Sequence, residues 1–137
     1  IQALVRDRFV GAVRAGHPLA EGKVTPERYA AGRHISVSRR GREKGPIDEA
    51  LGMIGLQRRV VCMVSGFSAA LAMARASDLI ASVPERHTAG ARAGMHSFAL
   101  PVATVDVTIS MLWHPRLDAD PAQRWLRDCV REVCAGR

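Results

Sequence analysis

The middle of the chain alternates between short apolar runs and segments with helical hydrophobic spacing. HISVS at residues 34–38 places Ile35 and Val37 on one side, which is the period-two pattern of a strand. VVCMV at residues 60–64 is continuously apolar, which predicts a strand covered on both faces, and LIASV at residues 79–83 predicts another. With helices between them, these strands predict a parallel sheet flanked by helices, an α/β architecture.

The helices between these strands carry recognisable start and stop signals. Pro46 opens a segment in which Ile47 and Leu51 recur at helical spacing. Gly55 then suits the left-handed position just after a helix end. An alanine-rich stretch at residues 69–76 predicts the next helix.

The last part of the chain has a different pattern. Residues 105–113 alternate apolar and polar side chains, as one strand does, and Asp120-Pro121 is an N-cap followed by a proline at the first helical position. The following helix is amphipathic, with Arg127 among the charged residues outside its apolar stripe. That stripe consists of Ala122, Trp125, Leu126, Cys129, Val130 and Val133.

Composition changes this picture little. The chain has 20 Lys and Arg against 13 Asp and Glu, a net charge of +7 that suggests a nucleic-acid partner. However, only 4% of the residues are aromatic, and the basic residues are scattered. The one dense basic cluster, at residues 39–44, is interpreted as either a solvated loop or a patch facing DNA or an acidic ligand. The longest stretch without a charged group, residues 60–74, is too short to span a membrane.

Patterns typical of catalysis and of cofactor binding are weak. The five histidines lie at positions 17, 34, 87, 96 and 114, without the spacing of a zinc site. The glycine-rich phosphate-binding motifs are also missing from the sequence, so we expect no cofactor and no metal. Ser65 follows a predicted strand and precedes a helix, as a nucleophile elbow does, but it lacks the G-x-S-x-G pattern.

A ligand-binding turn is the remaining candidate. Ligands of open parallel sheets bind beyond the carboxyl ends of the strands, where helix N-termini can hold an anion. Ser65, Gly66, Phe67 and Ser68 form such a turn, with two hydroxyls, a permissive glycine and an aromatic wall, and Ser38 at the end of HISVS is a second place. The alternative is that Ser68 is merely an N-cap and Phe67 a core residue.

Three segments together resemble the sensing domain of LysR-type regulators. HPLA at residues 17–20 follows a strand, and in the segment 41–60 Gly41 is followed, from Ile47 to Val60, by residues that fit V/I-D-x-x-L-x-x-x-G-x-x-R-x-V. Residues 113–127 fit W-H-x-R-x-x-x-D-P-x-x-x-W-L-R, leading into the last helix. The resemblance covers nearly the whole chain and rests on the order and spacing of all three segments.

The resemblance implies a periplasmic-binding-protein-like fold of two Rossmann-like α/β lobes with a small-molecule effector in the cleft between them. Residues 1–16 and 99–137 would belong to an incomplete first lobe and residues 17–98 to the second. Effector contacts are implied at Ser65, Gly66 and Phe67, and less firmly near Ser38. The family's winged helix-turn-helix would lie outside this chain.

The implied function is ligand-shifted control of transcription. The partners would be a small effector, compatible with a carboxylate, a second copy in a homodimer or tetramer, and DNA only through the outside domain. Such a protein would be cytoplasmic, would not contact a membrane, and would not be an enzyme. Two other functions remain as alternatives: the solute-binding protein of a transporter, and a small enzyme that uses Ser65.

Overall fold

A computed structural model describes residues 1–136. The strands are β1 (Gln2–Asp7), β2 (Phe9–Val13), β3 (Arg33–Val37), β4 (Arg59–Val64), β5 (Ala81–Pro84), β6 (His96–Ala99) and β7 (Val107–Met111). The helices are α1 (Pro26–Ala31), α2 (Pro46–Met53), α3 (Phe67–Arg75) and α4 (Pro121–Ala135), with 3-10 turns at Pro18–Ala20, Gly90–Arg92 and Pro115–Leu117. No helix among the described residues is long and apolar enough to cross a membrane.

The chain forms two compact units. The larger is Arg8–Val105, and the smaller combines Ile1–Asp7 with the segment from Asp106 onwards. The sequence placed the changes of lobe near residues 16 and 99, but β2 hydrogen-bonds to both β5 and β6 and therefore belongs to the larger unit. The assignment of these units to two lobes stays a prediction.

The strands of the larger unit lie side by side in the order β4, β3, β5, β2, β6. β4 pairs in parallel with β3, and His34 of β3 forms a parallel bridge to Ile80, directly before β5. β5 pairs antiparallel with β2, which pairs antiparallel with β6. The predicted parallel alternation of strands and helices is therefore confirmed for β3, β4 and β5, while β2 and β6 run the other way.

The prediction that β4 is covered on both faces is wrong. Its side chains alternate, with Val61 and Met63 about two-fifths exposed and Cys62 and Val64 packed against the core. β4 pairs only with β3, so it is an outer strand, and one of its faces remains uncovered within residues 1–136. A continuous apolar run cannot distinguish such a strand from a central one.

Two apolar clusters form the core of the larger unit. The first lies around α3 and the central strands, and the second lies around α1, α2 and Tyr29. Burial of these side chains is the main stabilising contribution to the unit. The buried members of the two clusters are Val10, Ala12, Ile35, Ala70, Leu71, Ala74, Ala81 and Val83, and then Val13, Leu19, Tyr29, Ala30, Ile47, Leu51 and Ile80.

The helix ends show which capping predictions were right. Gly55 has a φ of +76°, and the Leu56 amide donates to the Leu51 carbonyl at 2.9 Å, so the predicted left-handed end of α2 is confirmed. α3 begins at Phe67 with Gly66 as its N-cap. Ser68 is therefore in the first turn of α3, and the interpretation of Ser68 as an N-cap is wrong.

The smaller unit contains the antiparallel pair β1–β7 and helix α4. Asp120 caps α4 as predicted, since its Oδ2 accepts from the Gln123 amide at 2.9 Å. The amphipathic pattern of α4 predicts that Trp125 is buried and Arg127 exposed. The structure shows the opposite, with Trp125 68% exposed and Arg127 only 6%. The Arg127 guanidinium lies 4.6 Å from the Trp113 ring centroid and donates to two backbone carbonyls, which explains how a charged side chain is buried there.

Candidate functional site

The parallel pairing of β3 and β4 brings the predicted ligand-binding residues to one edge of the sheet. Val37 lies opposite Val64 in register, and the Ser38 amide donates to the Val64 carbonyl at 2.9 Å. Ser38 and Ser65 therefore lie at the adjoining carboxyl ends of neighbouring strands. This is the edge where open α/β sheets bind ligands.

The five predicted residues differ in how they are placed at this edge. Ser65 and Ser68 are exposed, Gly66 is half-buried, and the Ser38 hydroxyl accepts from the Arg42 amide at 3.0 Å. Phe67 is half-buried and lines a pocket in the larger unit. Phe67 thus connects the predicted turn to a concave site.

The pocket is small and has both aromatic and polar walls. Its volume is about 70 Å³. Phe9 and Phe67 meet edge-to-face with ring centroids 6.2 Å apart, which is a favourable geometry for two aromatic rings. The full lining is Phe9, Ile35, Ser36, Val37, Gly45, Pro46, Ile47, Arg58, Phe67 and Ser82.

Arg58, one partner of a buried ion pair, forms part of this wall. Arg58 Nε lies 2.8 Å from Asp48 Oδ1, and Arg58 Nη2 lies 3.1 Å from Asp48 Oδ2. The two side chains are only 4% and 13% exposed. Asp48 Oδ2 also accepts from the Gly45 amide at 2.9 Å, so this carboxylate links the start of α2 to the guanidinium. Burial raises the pKa of Asp48, but the hydrogen bonds from Arg58 and Gly45 outweigh it and leave the pKa below its usual value.

One end of the Arg58 guanidinium has no hydrogen bond to Asp48. Nη1 is buried and meets no acceptor at full hydrogen-bond geometry within residues 1–136, while the Arg58 guanidinium lies close enough to the Tyr29 hydroxyl to lower its pKa. The other two nitrogens face Asp48, which lies outside the pocket lining, so Nη1 is the end of the fork directed away from Asp48. A buried charged donor is costly without an acceptor, and the Tyr29 hydroxyl can serve as one.

Comparison with known proteins identifies the family. The model of the LysR substrate binding domain matches residues 1–135. This chain belongs to that family. The regulatory domain of MexT, a transcriptional activator in Pseudomonas aeruginosa, superposes with a TM-score of 0.79 at 30% identity, over 96% of this chain and 65% of that one.

Curated relatives are longer proteins. The transcriptional activator NagR of a Ralstonia species is 29% identical over 132 residues, which are 95% of this chain and 44% of NagR. The transcriptional regulator SyrM of Rhizobium meliloti is 34% identical over 128 residues, 90% of this chain and 39% of SyrM. The chain thus spans less than half the length of these relatives.

Behind the pocket, this LysR substrate-binding domain contains a hydrogen-bonded aromatic group. The Tyr29 and Ser82 hydroxyls are hydrogen-bonded at 2.5 Å, and Ser82 lines the pocket. Burial raises the pKa of Tyr29, while the Ser82 hydrogen bond and the Arg58 charge act in the opposite direction. Tyr29 is therefore a neutral phenol, and the Arg58 charge acts on the hydroxyl that Ser82 binds.

His34 lies on the other side of Tyr29 and is fully buried. Its Nε2 is 2.6 Å from the Tyr29 carbonyl oxygen, so Nε2 carries the proton and Nδ1 is a bare acceptor with no partner among residues 1–136. Burial lowers the pKa of His34 to about 4, which keeps the imidazole neutral. Within the described part of the chain, no three His, Cys, Asp or Glu side chains converge as metal ligands.

Sequence reasoning missed most of the polar wall of the pocket. Ser36 and Ser82 are 6% exposed and stand within the two buried strands HISVS and LIASV. A polar side chain inside an apolar run was the available signal, because buried hydroxyls need partners. The sequence shows Arg58 only as a motif position, since its pairing with Asp48 joins residues ten positions apart.

Proposed function

We propose that this domain is the effector-sensing part of a bacterial transcription regulator. Binding of a small molecule beside Phe67 would change the arrangement of the sensing domains and so change transcription. The observation that supports this proposal is a small aromatic and polar pocket lined by β3 and the starts of α2 and α3, in a chain of the LysR substrate-binding family.

The site we propose includes the turn and the pocket beside it. Phe67 would provide the aromatic wall, and Ser65, Gly66, Ser68 and Ser38 would line its approach. Ser65 and Ser68 are exposed, so their hydroxyls are accessible to a ligand. A carboxylate effector is compatible with the net charge of +7 and with the helix N-terminus at this edge.

The partners follow from the same proposal. A winged helix-turn-helix outside this chain would contact DNA, a second copy of the sensing domain would complete a homodimer or tetramer, and the protein would work in the cytoplasm. NagR and MexT are described as transcriptional activators, which supports a regulatory role. We propose sensing without turnover, so that Ser65 contacts the effector and does not act as a nucleophile.

The mechanism requires differential affinity. An effector shifts an equilibrium between two domain arrangements only by as much as it binds one of them more tightly. The resulting coupling between effector and operator DNA must be reciprocal in binding free energy.

A metabolite panel screened by thermal shift on the intact protein tests the proposal. At saturation of about 100 times Kd, a true effector should stabilise the protein by about 2.7 kcal/mol. Phe67→Ala should reduce this stabilisation. Ser65→Ala should also weaken it, because Ser65 would contact the effector. Met73→Ala is the matched control, because Met73 is partly exposed on the same helix and lies outside the pocket lining. Equal stabilisation of wild type and Phe67→Ala by every hit would refute the assigned site.

A further inference from the structure

A series of polar contacts leads from the start of α2 to the wall of the pocket. The Asp48 carboxylate accepts from the Gly45 amide and, at two points, from the Arg58 guanidinium, which fixes the plane of the guanidinium. The same guanidinium lies within reach of the Tyr29 hydroxyl, and this hydroxyl lies 2.5 Å from the hydroxyl of Ser82. The series therefore ends at Ser82, which lines the pocket.

The Tyr29 side chain within this series is held from several sides. It is fully buried, and its ring meets the His34 ring edge-to-face with the ring centroids 4.6 Å apart. The Phe98 ring meets it edge-to-face as well, at a centroid distance of 6.2 Å. His34 Nε2 also donates to the Tyr29 carbonyl oxygen at 2.6 Å. A phenol held in this way can rotate only its hydroxyl proton, so the neighbours of its oxygen decide where that proton points.

Those neighbours give the Tyr29 proton one direction. A guanidinium has only donors and no acceptor, so the Tyr29 oxygen faces Arg58 as an acceptor. The phenol proton is then directed to the Ser82 oxygen, the other polar group at hydrogen-bond distance among the described residues. The acidity of the two hydroxyls favours the same direction, because a phenol is a stronger acid than an aliphatic alcohol and is therefore the better donor.

The direction at Tyr29 determines what Ser82 offers to the pocket. Once the Ser82 oxygen accepts from Tyr29, its own proton is not used in that hydrogen bond and has no second partner within residues 1–136. Because Ser82 lines the pocket, this proton can point into it. Hydrogen bonds in series polarise one another, so the positive charge of Arg58 strengthens Ser82 as a donor.

We propose that Tyr29 is a positioning residue that fixes the Ser82 hydroxyl as a hydrogen-bond donor facing the pocket. Arg58 sets the direction of the series, and Asp48 holds Arg58 in place. Tyr29 lies outside the pocket lining, so it acts through Ser82 without touching a ligand. The proposal rests on the effector-sensing function proposed above and assigns a contact within its binding site.

Nuclear magnetic resonance of hydroxyl protons tests the direction without a ligand. Tyr29 is the only tyrosine of the chain, so its ring carbons are identified by residue type. We expect a downfield, slowly exchanging hydroxyl proton that couples to these ring carbons. A downfield proton that couples to the Ser82 β-carbon instead, or no protected hydroxyl proton on either residue, would overturn the proposal.

Two serine variants separate this hydrogen bond from general packing. Ser82 and Ser36 are both 6% exposed and both line the pocket, whereas the hydrogen bond to Tyr29 belongs to Ser82. Ser82→Ala should move the Tyr29 hydroxyl proton upfield and speed its exchange by about tenfold. Ser36→Ala is the matched control and should leave both unchanged. Equal effects of the two variants would contradict the assignment.

Binding measurements test whether Tyr29 acts through Ser82. The probe is the compound of the metabolite panel that stabilises the wild-type protein most. Ser82→Ala should weaken its Kd by about threefold to tenfold, and Tyr29→Phe should weaken it as well. The double variant should bind no more weakly than Ser82→Ala, because Tyr29 has no route to the probe other than Ser82. Additive losses, or an unchanged Kd in Ser82→Ala, would overturn the positioning role and leave the sensing function standing.

A neutron crystal structure of the deuterated wild-type protein decides the direction even if a variant fails to fold. The deuterium between the two oxygens should be bonded to Tyr29, and the Ser82 deuterium should point into the pocket. A deuterium bonded to Ser82 and directed at Tyr29 would contradict the proposal. This measurement needs no ligand, so a panel without any stabilising compound would count against the sensing function and not against the direction of the proton.

Discussion

The two compact units of this domain differ in what they bury. Every fully buried apolar side chain among residues 1–136 lies in the larger unit, between Val10 and Val83. In the described part of the smaller unit, the buried residues are the charged Asp7 and Arg127, while Trp125 and Val133 are more than half exposed. Both units have regular strands and helices, but only the larger one has an apolar core of its own.

An amphipathic pattern therefore identifies the apolar face of an element without showing that anything covers it. α2 buries its apolar face in the second cluster, with Leu51 at 0% exposure. The apolar face of α4 is mostly exposed, although its pattern is the clearest in the chain. Stability should therefore reside in the larger unit, where the candidate pocket also lies.

Separating the two units should give the largest difference in stability between them. A fragment of residues 8–105 should unfold cooperatively, whereas residues 1–7 linked to the segment from residue 106 onwards should lack stable tertiary structure, since a domain needs its own core to fold. Near-ultraviolet circular dichroism of Tyr29 reports the larger unit, and fluorescence of Trp113 and Trp125 reports the smaller. A non-cooperative larger fragment would contradict the comparison.

Ion pairs in the two units should differ next most strongly. Asp48→Ala leaves the buried Arg58 unpaired and should lower the free energy of unfolding by about 3–5 kcal/mol. Asp128→Ala removes a mostly exposed partner of Arg131 and should cost less than about 1 kcal/mol. Urea unfolding of the intact protein measures both, and similar losses would show that the buried pair is not a structural anchor.

Leucine truncations compare the apolar faces directly. Leu51→Ala should lower the free energy of unfolding by about 2–5 kcal/mol, because it opens a cavity in the second cluster. Leu126→Ala, at a side chain 49% exposed on α4, should cost much less. The same urea titration measures both variants, and a larger loss for Leu126→Ala would reverse our ranking of the two units.

Acid sensitivity should trace to the larger unit as well. His34 has a pKa of about 4 in the folded protein against 6.5 as its usual value, so the unfolded state binds a proton more readily between these values. The free energy of unfolding should therefore fall as the pH falls from 6.5 towards 4, by about 2 kcal/mol between about pH 7 and about pH 5. Asp48 acts in a lower window, where stability is lost as the pH falls below its ordinary value of 3.8.

Unfolding measured across this pH range checks the role of His34. His34→Gln should flatten the dependence between about pH 7 and about pH 5, whereas His114→Gln, in the smaller unit, should retain it. An unchanged slope in His34→Gln would mean that another group causes the acid sensitivity.

Local patterns predicted much of the fold, and long-range pairing accounts for what they missed. The cap at Asp120 and the left-handed Gly55 depend on neighbouring residues, so they were predicted correctly. The outer position of β4 and the place of β2 between β5 and β6 depend on partners far along the chain. No local pattern contains that information.

The candidate site divides in the same way. The turn at Ser65, Gly66 and Phe67 was predictable because it follows a strand and opens a helix. Its approach to Ser38 follows from the parallel register of β3 and β4, which a sequence pattern indicates only in outline. The sequence could not predict how the Arg58 guanidinium is placed, because its orientation results from the three-dimensional contact with Asp48.

Operator footprinting with the intact protein measures whether ligand binding at the Phe67 pocket controls DNA binding. We predict that a metabolite that stabilises the wild-type protein also changes its footprint, and that Phe67→Ala abolishes this change while Met73→Ala retains it. An identical footprint with and without a saturating, stabilising ligand would show that the ligand does not control DNA binding.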